Sequence, residues 1–169
     1  ALARAAGSRS IDGNTIEHYP DSPAAIEAML GWIAGAERWI HLENYIIRDD
    51  RSGRLFADAL TTKAGEGVAV YLVYDWMGAL GKTPGHYWAS LRSGGVEVRC
   101  FNPPRLLSPL GWIQRNHRKS IVVDGRVGFI TGLCIGDEWA GDPELGIDPW
   151  RDTGIEVVGP AVAEIEEAF

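Results

Sequence analysis

His117 and Lys119 stand two residues apart at the head of an apolar run, in Asn116-His117-Arg118-Lys119-Ser120-Ile121-Val122-Val123-Asp124-Gly125. In an extended strand, residues i and i+2 point the same way, about 7 Å apart. The pair therefore faces one pocket, and Arg118 faces away. An imidazole that is near neutral at physiological pH can act as nucleophile or proton carrier. An ammonium beside it neutralises non-bridging oxygens. Together they suit a phosphate ester. A histidine alone would read as a solvated or core residue, and His18, His41 and His86, which lack such company, read that way. Lysine is scarce here, occurring only at 63, 82 and 119, so Lys119 beside His117 is hard to dismiss as surface decoration. Glu43 lies in an apolar strand, where a buried carboxylate needs a partner; it is a candidate substrate-binding residue.

The elements that must position these residues follow from periodicity. After an Ala/Gly/Ser/Arg-rich lead-in over residues 1–13, a domain is expected over 14–169. Asn14 to Tyr19 reads as a short strand. Asp21 or Ser22 caps a helix to about Ala36, with Pro23 acceptable in its first turn and Ile26, Met29, Leu30 and Ile33 at helical spacing. Strands are expected at Arg38–Ile47, Val68–Tyr74, Val96–Phe101, Ser120–Val123, Val127–Ile130 and Ile155–Val158. Helices are expected at Leu55–Ala64, His86–Arg92 and from Pro160 to Phe169. Val68–Tyr74, almost unbroken in its apolar content, reads as a strand covered on both faces. Asp124-Gly125 marks a hairpin turn. The alternation indicates an α/β fold, a mixed and largely parallel sheet flanked by helices on both faces. Two loops remain, Asn102–Gly111, whose Leu106, Leu107 and Leu110 lie just before the motif, and Gly141–Pro149.

Composition narrows the function classes. The formal charge of -7 and a pI near 5.1 count against non-specific binding to nucleic acid, which leaves a basic footprint. Cys100 and Cys134 form no metal-ligand spacing and read as two free, partly buried thiols. No cluster of His, Cys and carboxylates has ligand spacing, so no metal or other cofactor is implied. No apolar run approaches the roughly 20 residues of a membrane-spanning helix, and no signal-peptide pattern is evident.

The pattern His117-x-Lys119-x-x-x-x-Asp124 resembles the motif of the phospholipase D superfamily. Gly125 to Trp139, Trp150-Arg151-Asp152-Thr153 and the strand that follows resemble the segments after the first such motif in bacterial cardiolipin synthases. Leu42 to Asp50 and Val68 to Asp75 fit the same family's early strands. The resemblance implies an α-β-α sandwich and a phosphodiester reaction through a phosphohistidine on His117, with Lys119 holding the phosphate. Asp124 comes with the motif as a third catalytic residue, although an Asp-Gly turn equally fits a structural job. Asp152 matches an acidic position near the histidine, where a carboxylate would fix the imidazole tautomer. Gly132 and Cys134 fall on phosphate-binding positions. The family usually has Asn where this chain has Cys134, a poorer donor than an amide. It commonly has His where this chain has Gly154.

Only one copy of the motif occurs. The family's leaving-group acid is the histidine of a second motif. The resemblance thus implies a partner half, from the same protein or from a homodimer, with the former favoured. The substrate reading is phosphatidyl transfer or hydrolysis of a phosphatidylglycerol-like phospholipid, by a membrane-associated or cytoplasmic bacterial protein. The apolar loop residues Leu106, Leu107, Leu110 and Trp112 suit a lipid-facing mouth. Phosphodiesterase action on nucleic acid is the alternative, and a degenerate assembly half-domain the third reading.

Overall fold

The computed structural model describes residues 10–104 and 114–169. The lead-in up to residue 9, and Leu106, Leu107, Leu110 and Trp112, lie outside the described residues. The described elements run β1 (Thr15–Tyr19), α1 (Ser22–Ala34), β2 (Trp39–Asn44), α2 (Arg51–Gly65), β3 (Ala69–Asp75), α3 (Trp76–Ala79), α4 (Gly85–Ser93), β4 (Glu97–Phe101), β5 (Ser120–Val123), β6 (Val127–Thr131), α5 (Asp137–Ala140), β7 (Gly154–Val158) and α6 (Val162–Glu167). Sequence reasoning missed the one-turn helices α3 and α5, which are too short to show a period. It also began α2 a turn late, because Asp50, whose side chain caps Gly53 N–H, sits in a charged run rather than at the edge of an apolar one.

The seven strands form one mixed sheet in the order β1-β7-β6-β5-β2-β3-β4. Five strands share a direction, but neighbours are parallel only across β2-β3-β4; the other four pairings are antiparallel. The sheet is therefore less parallel than the alternation suggested. The reason is local: the Asp124-Gly125 turn, both residues at positive φ (56° and 66°), reverses the chain between β5 and β6. No helix intervenes to make a parallel crossover there.

Helices α1, α2 and α4 cover one face, burying Ile33, Phe56, Leu60 and Leu91 against Ile40, Leu42, Leu72 and Phe129. Each such side chain contributes about 1.5–3 kcal/mol on burial. On the other face α6 sets Val162 against Val122 and Val157. That second cover reaches only part of the sheet. β3 consequently buries Val70 and Leu72 but leaves Tyr71 exposed, which corrects the expectation that it is covered on both faces.

Candidate active site

His117 and Lys119 of the motif lie just before β5 begins. Asp75, at the end of β3 and 1% exposed, accepts bonds from Arg115 Nη1 (2.8 Å) and Asn116 N–H (2.9 Å), and its Oδ1 also caps Met77 N–H. The residues leading into His117 are thereby tied to the end of β3, two strands away in the sheet. Two residues later β5 is fixed from the other side, Thr131 N–H donating to Lys119 C=O at 3.0 Å.

Between those anchors His117 and Lys119 converge as the i, i+2 spacing requires. Lys119 Nζ lies 3.2 Å from His117 Nδ1 and 3.4 Å from Nε2, and donates to the His117 carbonyl at 2.9 Å. The imidazole is exposed and the lysine is buried. Burial lowers the affinity of the amine for its proton, and the nearby Cys134 and Asp152 raise it again. The Tyr45 ring completes the cluster, its centroid 4.6 Å from that of His117 and 5.6 Å from Lys119 Nζ. Two open clefts meet at His117. One, of about 440 Å³, includes Lys119, Ile130 and Ile165 in its lining; the other, of about 290 Å³, runs along Phe101, Arg115 and Arg118.

Asp152 reaches this cluster through a gap left by a glycine. A Cβ on Gly132 would stand 2.1 Å from Asp152 Oδ1, so only glycine admits the carboxylate at this place. Oδ1 accepts the Thr153 N–H (2.8 Å), and Gly132 N–H donates to Thr153 C=O (3.0 Å). The charge of Asp152 acts on Lys119 and Cys134. It makes no hydrogen bond to His117, so the expected steering of the imidazole is not exerted by a direct bond in this arrangement. Cys134 is buried, and burial pushes its thiol pKa up while Lys119 pulls it down.

Two expected site residues lie elsewhere. Asp124 is at the far end of β5, about 16 Å along the chain from Lys119 at strand rise. Its carboxylate accepts the backbone N–H groups of Glu37 (2.9 Å), Arg38 (2.8 Å) and Trp39 (2.9 Å). Burial pulls its pKa up, but those three bonds outweigh it and hold the group below the usual carboxylate range. A carboxylate so occupied fits the structural job that its place in an Asp-Gly turn allows. Glu43 pairs across strands with Ser120, so it points to the face opposite Lys119. It is 2% exposed; burial raises its pKa, while Asn116 and Arg118 lower it. Its Oε1 is 3.8 Å from Arg118 Nη1. It sits beneath the lead-in to His117 rather than in a phosphate pocket. Sequence reasoning missed Asp75 and Tyr45; an Asp closing an apolar strand and an aromatic just past β2 were the available signals.

A family model described as "Cardiolipin synthase, PLD-like domain" matches residues 29–137. The chain belongs to that family. Cardiolipin synthase A of Pseudomonas syringae pv. syringae (strain B728a) is 36% identical over 176 residues, covering 100% of this chain and 35% of that protein. Cardiolipin synthase A of Pseudomonas entomophila (strain L48) is 37% identical over 163 residues, covering 92% and 32%. The chain thus spans about a third of the length of these cardiolipin synthase relatives. Its fold matches phosphatidylserine synthase from Haemophilus influenzae Rd KW20, with TM-score 0.70 at 15% identity over 90% of this chain and 35% of that one. It also matches the phospholipase D family member Nuc from Salmonella typhimurium, with TM-score 0.65 at 15% identity over 92% and 90%. In this cardiolipin synthase-like domain no helix among the described residues is long and apolar enough to cross a membrane.

Proposed function

We propose that this domain is the nucleophilic half of an enzyme that cleaves or transfers a phospholipid phosphodiester through a phosphohistidine. The observation that carries the reading is the convergence of His117 and Lys119 at one strand end, with Nζ 3.2 Å from Nδ1. A ring nitrogen of His117 attacks phosphorus, and the P–O bond to the leaving alcohol breaks as the P–N bond forms. Lys119 holds the non-bridging oxygens, where charge is spread in a loose transition state. Burial lowers the pKa of that lysine, and Cys134 and Asp152, the latter admitted by Gly132, oppose the shift only in part. Water then releases a phosphatidic acid, or a second alcohol takes the phosphatidyl group and restores the free imidazole.

The leaving alkoxide needs a proton. Neither Glu43 nor Asp124 is placed to give it. The acid comes from a second half-domain carrying its own His-x-Lys motif, in the same protein or in a second copy. The phosphatidyl substrate is supported by kinship with the cardiolipin synthases. Polyanionic nucleic acid is disfavoured by the net charge of -7.

The test offers the full-length protein labelled phosphatidylglycerol vesicles and, separately, single-stranded DNA, with acid-stable and acid-labile phosphate on the protein measured after quenching. Acid-labile label on His117 from the lipid alone supports the proposal. Cleavage of DNA with no lipid turnover sinks the lipid reading, and no adduct from either substrate favours a degenerate half-domain.

A further inference from the structure

His117 is exposed, and among the described residues no carboxylate hydrogen-bonds its ring. Two groups hold it, the Lys119 ammonium and the Tyr45 ring. Tyr45 is itself well fixed. Ile46 N–H, one residue on, is bound to Asn44 Oδ1 (3.2 Å). Ile135 N–H donates to Ile46 C=O (3.1 Å), and Arg48 N–H to Ile135 C=O (2.9 Å). From the other side Gly78 of α3 packs on the Tyr45 carbonyl so closely that a Cβ would come within 1.9 Å of that oxygen. The chain thus clamps Tyr45 from both flanks while its ring leans on an otherwise loosely held nucleophile.

The geometry points to Tyr45 as a positioning residue for His117 and Lys119. This rests on the reading of His117 as the nucleophile. A centroid distance of 4.6 Å at a 54° tilt lies in the range where aromatic pairs attract, and Lys119 Nζ at 5.6 Å lies within reach of the ring's negative face. Two consequences follow. The ring limits the imidazole to directions from which a nitrogen can meet a phosphorus held by Lys119. It also favours positive charge on the imidazole, which appears as the ring nitrogen gives its lone pair to phosphorus. The phenol hydroxyl enters neither effect, so the face of the ring matters and the oxygen does not.

Three substitutions separate these contributions in the full-length protein: Tyr45→Phe keeps the face, Tyr45→Leu keeps most of the bulk, and Tyr45→Ala keeps neither. With phosphatidylglycerol vesicles as substrate, kcat is expected within about twofold of wild type for Phe, about fivefold down for Leu and about 10²-fold down for Ala, with KM little changed. The His117 ring proton resonances, followed by NMR, are expected to keep the ring-current shift of the neighbouring aromatic ring in Phe and to lose it in Leu and Ala. Circular dichroism melts confirm that each variant is folded. A Phe variant as damaged as Ala, or Leu and Ala variants with wild-type kcat and unchanged His117 resonances, overturn the assignment. Should His117→Ala keep full turnover, the nucleophile reading fails instead. The ring-current shifts then still report whether the Tyr45 ring packs on the imidazole.

Discussion

The two ends of β5 carry charged residues of one motif in opposite conditions. At the Asp124 end, a carboxylate buried to 3% exposure spends its oxygens on three backbone N–H groups and is thereby stabilised in its ionised form. At the Lys119 end, an ammonium buried to 7% has, among the described residues, only a neighbouring imidazole and a carbonyl as hydrogen-bond partners, and burial disfavours its charge. Both groups pay a desolvation cost. Only the first is compensated inside the fold. An under-compensated cation beside an exposed imidazole is a place where an anion binds well, whereas a saturated carboxylate is a structural pin. Four residues of strand thus separate the two conditions.

Substitutions at the two ends should therefore fail differently, and His117→Ala should have the largest effect. In the full-length enzyme it should lower kcat by about 10⁴-fold or more and abolish the acid-labile phosphate adduct, with the melting temperature nearly unchanged. Lys119→Met should cost roughly 10²–10³ in kcat. Removing a poorly compensated buried charge should meanwhile leave stability unchanged or raised in denaturant titrations. Asp124→Ala should do the reverse, losing about 3 kcal/mol of stability while the fraction that remains folded forms the adduct at the wild-type rate. A large loss of adduct formation in folded Asp124→Ala would erase the distinction between the ends. The smallest effect belongs to pH. Because the folded pKa of Asp124 is depressed, its contribution is complete above its unfolded value of about 3.9 and is lost as pH falls through the folded value. The stability gap between wild type and Asp124→Asn should thus be constant above about pH 5 and close in stronger acid, as read by urea midpoints.

The same contrast explains what could be read in the sequence. Strand period alone placed His117 and Lys119 together and Arg118 apart, because alternation is fixed by backbone geometry. The Asp124-Gly125 turn and the exact span of β5 were legible for the same local reason. The family resemblance also brought in Asp152, and Gly132 turns out to be the space that admits it. What was not legible depends on contacts far apart in the chain. Asp124 is 85 to 87 residues from the N–H groups it binds, so nothing near it in sequence announces that it is spent. Glu43 looked like a site residue because it is a buried acid. Its side of the sheet is set by pairing with Ser120, which a single strand cannot reveal. Asp75 and Tyr45 act on residues some 40 and 72 positions away, respectively, through strand order.

The central claim is that the His117 end of β5 performs covalent chemistry on a phospholipid phosphodiester. Its most direct test is a rapid alkaline denaturing quench of the full-length protein with phosphatidylglycerol labelled in the phosphate, followed by mapping of the labelled peptide under alkaline conditions. The account predicts acid-labile label on the peptide carrying His117, absent in His117→Ala and retained in Asp124→Ala. Turnover of the lipid with no label on that peptide, or with label that persists in His117→Ala, would contradict it.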